Sequence, residues 1–333
     1  MGPSASKRPT SAELRIDVTD IAPAGAQWAV AEVFVPPFEA LVIDGEPVVA
    51  FCLAGGGFSR RYFDLDVPAE CGAYSMARDL AARGVIVVTC DPLGIGASDR
   101  PTDVSALTPD LLADVQAHVT ATVLDALANG TAADALSPLP RVRAVGVGHS
   151  AGALLTTYQQ ARHRQFAAVA LLGFAGQGLV DFLTPEERGF IGDPDGLRAA
   201  LPDLVTKRFG DALPDWQGGN STLFSGGTAP EPVKDAMRAA QVSMLGLLGL
   251  TSMIPGASEH ELAAIDVPIF LGVGSADITG PPRRIPSDFP TAHDITLFVL
   301  EGAGHTHNIH EHRDMLWARL AQWAESLERA NSR

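Results

Sequence analysis

The chain has 333 residues, 46% of them apolar and 6% aromatic, an ordinary globular composition that can bury the core of one large α/β domain, with or without an insertion. Its formal charge of −15 is spread along the chain rather than gathered in blocks, which argues against nucleic acid and anionic membrane as partners. Three cysteines, Cys52, Cys71 and Cys90, match no metal-ligand spacing and form no even set for a disulfide framework, so a reducing cytoplasm is the expected compartment.

Residues 1–26 are rich in Pro, Ala and Ser and lack the apolar stretch of a secretory signal; they read as a flexible tail. Residues 27–35 alternate apolar with polar, 40–43 continue after Pro36-Pro37, and Asp44-Gly45 is a hairpin signal, so the chain enters its sheet antiparallel. The continuous apolar run 47–53 predicts a strand buried on both faces, ending in Ala54-Gly55-Gly56-Gly57-Phe58. Helical spacing follows over 69–83, closed by Gly84. A second buried strand, 85–90, leads into Asp91-Pro92-Leu93-Gly94-Ile95-Gly96-Ala97-Ser98. That turn lacks both the Gly-x-Gly-x-x-Gly spacing and the lysine of a phosphate loop, and reads as structural. Thr108-Pro109 and Asn129-Gly130 bracket a long helix as N-cap and C-cap.

The β-branched run 142–147 passes straight into Gly148-His149-Ser150-Ala151-Gly152 and then a helix-forming segment. A Gly-x-Ser-x-Gly pentapeptide is a weak signal alone, but between a buried strand and a helix it is a nucleophile elbow, a turn that pushes the serine hydroxyl out at the strand's carboxyl end. Another strand covers 167–173. The alternation then breaks over 176–265, where short amphipathic pieces are separated by clusters such as Asp193-Pro194-Asp195-Gly196; this region reads as a helical cap. Its longest apolar stretch, 244–255, is too short to span a bilayer and is interrupted by Gly246 and Gly249, so no transmembrane segment is expected. Strand 267–273, a turn containing Asp277, strand 295–300, and Gly302-Ala303-Gly304-His305 restore the alternation. A last helix carries Leu316, Leu320, Trp323 and Leu327 on one stripe. Strands alternating with helices imply a mostly parallel sheet covered on both faces, with residues 27–175 and 266–333 as the core and 176–265 as the cap.

From about residue 27 to 327 the chain resembles the α/β-hydrolase superfamily. Four features carry the resemblance in order: the Gly55-Gly56-Gly57 loop after the third strand, the Asp91-x-x-Gly94-x-Gly96-x-Ser98 turn after the fourth, the elbow at Ser150, and Asp277 followed by His305. The resemblance implies an α/β-hydrolase fold with a helical cap inserted after strand 6. Members commonly carry His-Gly where this chain has Ala54-Gly55, a difference that bears on the backbone donor and not on a catalytic side chain.

A serine hydroxyl is a poor nucleophile and needs a base held by a third group. His305, on the loop after the last strand, is the candidate base, and Asp277 its candidate orienter, with Asp181 as the rival acid. The N–H groups of Ala151 and Gly56 are the candidate donors to a tetrahedral oxyanion. His307, His310 and His312 read as polar residues around a helix start rather than metal ligands, and His149 as a packed neighbour of the serine. Arg60 and Arg61 are candidate anchors for a substrate carboxylate, against the commoner solvated role. Gly57, Phe58, Trp216, Met244 and Met253 are candidate pocket residues, and Phe182, Phe190, Phe209, Phe224, Met237, Leu247 and Leu248 are further apolar cap residues. Serine at the elbow, where an alkyl-ester mechanism would need a carboxylate, points to acyl transfer to water. The expectation is a cofactor-independent hydrolase of a small apolar carboxylic ester or lactone, with no nucleic acid or membrane partner and a homodimer left open. A thioesterase, amidase, peptidase or C–C bond hydrolase would use the same three residues, and some members of the fold only bind small molecules.

Overall fold

The computed structural model describes residues 9–41, 46–134, 136–215 and 229–330. Its strands are β1 (Thr10–Asp17), β2 (Trp28–Val35), β3 (Val48–Leu53), β4 (Ile86–Asp91), β5 (Arg143–His149), β6 (Ala168–Leu172), β7 (Ile269–Gly274) and β8 (Ile295–Leu300). They form one sheet in the order β1-β2-β4-β3-β5-β6-β7-β8. The β1–β2 and β2–β4 pairs are antiparallel and every other pair is parallel.

Period-two patterning decides which side chain meets which layer. In β3, Val49, Phe51 and Leu53 pack with Leu112 and Val115 of α2 (Pro109–Asn129) and Leu154 and Leu155 of α3 (Ala151–His163). Val48, Ala50 and Cys52 face the other way, toward Met76 and Leu80 of α1 (Met76–Ala82) and the buried stripe Leu316, Leu320, Trp323 and Leu327 of α9 (Arg313–Ala330). Both faces of β3 to β7 are therefore covered, as their unbroken apolar runs require, while the edge strand β8 is only partly buried. Cys52 and Cys90 lie inside this core as small apolar groups. Burial and the neighbouring Asp91 carboxylate push the Cys90 thiol up to about 12.

Helix α2 begins where its sequence says it should. The Thr108 hydroxyl accepts from the Leu111 amide at 3.2 Å, Pro109 takes the first helical position, and Gly130 ends the helix at φ +70°. By length and composition α2 is apolar enough to cross a membrane, yet half of that stretch is buried inside the molecule. Its polar contacts run to neighbouring elements, with Thr120 and the Gln116 carbonyl accepting from Gln159 of α3.

Two elements differ from the sequence reading. Residues 10–17, expected within a flexible tail, form β1 and pair along their length with β2. Ala12, Leu14 and Ile16 turn inward while Ser11, Glu13, Arg15 and Asp17 stay exposed, a period-two pattern too polar to stand out from the tail's composition. This strand is one of two antiparallel partners of β2, the other being β4; Phe38–Ala40 is a 3-10 turn, and residues 42–45, with the rest of the expected continuation and the Asp44-Gly45 signal, lie outside the described residues. The helix expected from residue 69 starts later, at Met76. Ala69–Cys71 is a separate 3-10 turn closed by Gly72 at φ +83°, and the Ser75 hydroxyl caps α1 by accepting from the Arg78 amide at 3.0 Å.

Between β6 and β7 the chain forms α4 (Pro185–Arg188), α5 (Pro194–Phe209), α6 (Glu231–Ala239), α7 (Gly246–Met253) and α8 (Glu259–Ala263). Leu197, Leu201, Leu204 and Val205 of α5 pack on Leu247 and Leu250 of α7 in an apolar cluster of their own, apart from the two beside the sheet. Loops after β3, β5, β7 and β8 all emerge at one edge, the carboxyl ends of the parallel strands, where α/β sheets place ligands.

If β1 is part of the core, Ile16→Ala, at a side chain 3% exposed, should lower unfolding stability by about 2–5 kcal/mol. Denaturant unfolding measures this, and a loss under about 0.5 kcal/mol, the scale of a surface substitution, would return residues 10–17 to a tail.

Candidate active site

Ser150 occupies a conformation that L-residues rarely adopt, φ +53° and ψ −122°, at the junction of β5 and α3. Such strain costs on the order of 1–3 kcal/mol and persists only where the surroundings enforce it. Here they do. A Cβ on Gly148 would fall 2.3 Å from the Ala153 Cα, and one on Gly152 would fall 2.2 Å from the Leu53 carbonyl oxygen of β3. The Ser150 amide donates to the Leu172 carbonyl at the end of β6, at 2.8 Å. Glycine at both positions thus lets the turn close, and the turn aims the hydroxyl out of the sheet.

The hydroxyl meets His305. Ser150 Oγ lies 2.9 Å from His305 Nε2, and His305 Nδ1 lies 2.8 Å from Asp277 Oδ1. For a neutral imidazole this fixes one tautomer, with Nδ1–H donating to the carboxylate and Nε2 accepting from the serine. The Asp277 side chain is fully buried. Burial alone would raise its carboxyl, but the charges and hydrogen bonds of His305 and His307 outweigh that and hold it well below the usual carboxylate range. Asp181, the rival acid, is exposed on the 3-10 turn Val180–Phe182, and it is Asp277 that takes the Nδ1 side of His305.

His149 is buried and donates from Nε2 to the His305 backbone carbonyl at 2.8 Å, its ring stacked on Tyr62 at 4.7 Å between centroids. Burial in this apolar stack, with His305 and His307 alongside, drives its pKa well below the usual histidine value. Gly55 must be glycine because a Cβ there would sit 2.7 Å from His149 Nδ1 and 3.1 Å from the Ser150 Cβ. Gly56 follows beside Ala151: a Cβ on Gly56 would come within 3.8 Å of the Ala151 Cβ. Ala151 opens α3, so its N–H is one of the first-turn donors without an intrahelical partner. The Ala151 amide thus sits beside the serine at the positive end of a helix, with Gly55 and Gly56 packed close by.

The loop holding Gly56 is tied at several points. The Gly57 carbonyl accepts from Val242 at 2.9 Å, Phe58 N–H donates to the Gly55 carbonyl at 3.2 Å, and Arg60 N–H donates to Asp91 Oδ1 at 2.6 Å. Arg60 itself is buried among Asp91, Glu13 and Glu32, and so is a strut rather than a substrate anchor; Arg61 is exposed. The Asp91 turn is structural too: a Cβ on Gly96 would strike the Asp91 carboxylate at 2.3 Å.

A cavity of about 260 Å³ lies over Ser150 and His305. Phe58, Met244 and Met253 line it, together with Phe182, Phe209 and Met237. Gly57 does not line it, because its carbonyl is turned to Val242; Trp216 and Phe224 lie outside the described residues. Leu247 and Leu248 are buried in the core clusters, and Phe190 packs on the α5–α7 cluster. Leu179 and Ile278 also line the cavity, from loops whose sequence gives no sign of where they point, as does Arg208 from the last turn of α5. Among the described lining residues Arg208 is the one with a permanent charge, and the buried Glu187 pairs with it at 2.5 Å. His307 does not read as polar helix-start filler: it is buried against Asp277 Oδ2 at 2.8 Å. Among the described residues no group of three or more His, Cys, Asp or Glu is disposed to hold a metal ion.

A family model described as "Alpha/beta hydrolase family" matches residues 50–319, most of the chain. A search of curated protein sequences finds no match. Among solved structures, a thermophilic esterase from Thermogutta terrifontis superposes with a TM-score of 0.59 at 16% identity, covering 95% of this chain and 99% of that one. A peroxisomal alpha-beta-hydrolase from Saccharomyces cerevisiae gives 0.61 at 13% identity, over 98% and 90% of the two chains. A monoacylglycerol lipase from Paleococcus ferrophilus gives 0.56 at 20% identity, over 85% and 96%. At such identities the likeness speaks for the fold alone.

The lowered Asp277 pKa carries a sign. Its contribution to stability is present above the unfolded value of about 3.9 and is lost as pH falls toward the folded value. Asp277→Asn should therefore be less stable than wild type at neutral pH, with the gap closing below about pH 4. Urea unfolding over a pH series checks this, and a gap that holds constant or widens on acidification would contradict it.

Proposed function

The chain belongs to the alpha/beta hydrolase family, and within it we propose a serine hydrolase that cleaves a carboxylic ester or lactone through an acyl-enzyme on Ser150. The observation that carries this reading is the unbroken contact series Ser150 Oγ, His305 and Asp277 at the base of an apolar cavity. His305 Nε2 takes the serine proton as Oγ attacks the substrate carbonyl carbon. The negative charge that develops on the carbonyl oxygen is met by the N–H groups of Gly56 and Ala151, each worth about a hundredfold to a thousandfold in turnover. Asp277 keeps the imidazole in the required tautomer and stabilises the imidazolium. That imidazolium then protonates the leaving alkoxide, and the acyl-enzyme forms. Water, activated by the same histidine, releases the acid and restores the serine.

These groups supply every proton transfer and the charge stabilisation, so the chemistry calls for no cofactor. A carboxylate nucleophile is absent from the elbow, where Ser150 stands, and alkyl-ester chemistry is accordingly not proposed. The lining sets the substrate class. Phe58, Phe209, Met237, Met244 and Met253 offer aromatic faces and flexible thioethers, which suit an uncharged apolar acyl group, and the charge of Arg208 is already balanced by Glu187.

Two outcomes are expected with p-nitrophenyl esters. Ser150→Ala should reduce turnover by about a thousandfold or more while the melting temperature stays near that of wild type. Wild-type activity in that variant would exclude Ser150 as the nucleophile. Across an acyl series, apolar chains should be cleaved with higher kcat/KM than chains of equal length ending in a carboxylate; the reverse order would contradict the assigned substrate class.

A further inference from the structure

We propose that His307 is a positioning residue of this site, gripping the second oxygen of Asp277 so that the carboxylate is held between two imidazoles. The proposal rests on Ser150, His305 and Asp277 being the catalytic set.

His307 Nε2 lies 2.8 Å from Asp277 Oδ2, the same separation that joins His305 Nδ1 to Oδ1. The side chains of His307 and Asp277 are 1% and 0% exposed, so bulk solvent does not satisfy that oxygen. An unpaired carboxylate oxygen in such a place would be costly, and the imidazole is what prevents it. The Gly274 amide also points at Nε2, at 3.2 Å. One ring nitrogen cannot accept from that amide and donate to the carboxylate together. The shorter, charge-assisted contact decides for Nε2–H, since the other tautomer would set a nitrogen lone pair against the carboxylate. The remaining nitrogen, Nδ1, is buried with no hydrogen-bond partner among the described residues.

The surroundings fit this crowding. Gly173 follows β6 at φ +57°, and a Cβ there would fall 3.1 Å from His307 Cε1, 3.3 Å from Asp277 Oδ2 and 3.3 Å from His149 Nε2. The His307 ring stands edge-on to His149 at 5.6 Å, and His149 in turn holds the His305 backbone carbonyl. With Thr279 N–H reaching Oδ1 at 3.2 Å, the carboxylate is fixed in rotation as well as in place. An aspartate free to turn about its last torsion, a broad two-fold one, would change the angle at which it meets His305. Donation from His307 Nε2 to Oδ2 fixes that angle and leaves Oδ1 turned to His305. His307 does not line the cavity, so its loss should touch the chemical step and spare substrate binding.

The test compares H307Q with H307N, using an ester that Ser150→Ala no longer cleaves. Glutamine places an amide N–H near the position of Nε2, whereas asparagine stops short of it. H307N should lose about tenfold to hundredfold in kcat with KM little changed, the cost of a displaced catalytic group, and H307Q should recover most of it. Wild-type kcat in H307N, or equal losses in both folded variants, would overturn the proposal. A second measurement needs no variant of His307 to fold: ¹⁵N spectra of the wild-type imidazoles should show His307 protonated at Nε2, and an Nδ1–H tautomer would overturn it. A wild-type protein that cleaves no ester would instead defeat the hydrolase reading, and the spectra would still decide the Asp277–His307 contact.

Discussion

A steric constraint at the end of β5 governs the rest of the molecule. Ser150 can hold its left-handed backbone only because Gly148 lets the chain fold back on Ala153 and Gly152 lets α3 start against the Leu53 carbonyl of β3. With those two glycines in place, β5, β3 and α3 converge on one point at the centre of the sheet. The sheet's connections then do the remaining work: β3 brings Gly56 to one side of the serine, β7 brings Asp277, and β8 brings His305, all at the same carboxyl edge. The strain at the serine is small beside the burial that the two flanking layers provide, so the fold tolerates it.

Two buried carboxylates then hold the loops that the elbow has gathered, and they do so by different chemistry. Asp91 is met by permanent cationic and amide donors: the Arg60 guanidinium, the Arg60 N–H and the Ala97 N–H. It ties the loop that contains Gly56 to the end of β4, and through Arg60 and Glu13 it also reaches β1, which is how an edge strand at the start of the chain comes to brace the site. Asp277 is met by imidazoles, whose protons can move. An arginine beside Asp277 would satisfy the carboxylate but leave nothing to exchange a proton with serine; imidazoles beside Asp91 would make a strut that loosens on titration. The distribution of partners separates scaffold from proposed chemistry more sharply than the carboxylates do themselves.

Most of the parallel sheet was legible in the sequence because β3, β4, β5 and β7 are short apolar runs bounded by turns, and nothing but a doubly covered strand fits that pattern. The elbow was legible because glycine spacing around a serine reports a steric requirement directly. β1 was not, since its inward residues are only Ala12, Leu14 and Ile16 among exposed polar neighbours, and its partner lies across a long loop. The role of Arg60 was misjudged for the same reason: its counter-ions Glu13, Glu32 and Asp91 come from three strands and only the fold assembles them. His305 could be placed from its position after the last strand, whereas His307, two residues on, turns back toward Asp277 through a 3-10 turn that its sequence does not announce. The cavity was the least legible part, because side chains such as Leu179 and Ile278 reach it from loops with no periodicity to orient them.

Whether Ser150 is an activated nucleophile is tested most directly by intact-protein mass spectrometry after incubation of the folded wild-type protein with a fluorophosphonate, followed by peptide mapping. A single adduct, mapped to the peptide containing Ser150, is the predicted result. No adduct on protein that remains folded, or an adduct on another residue, would contradict an activated serine at the elbow and favour a protein that binds its ligand without turning it over.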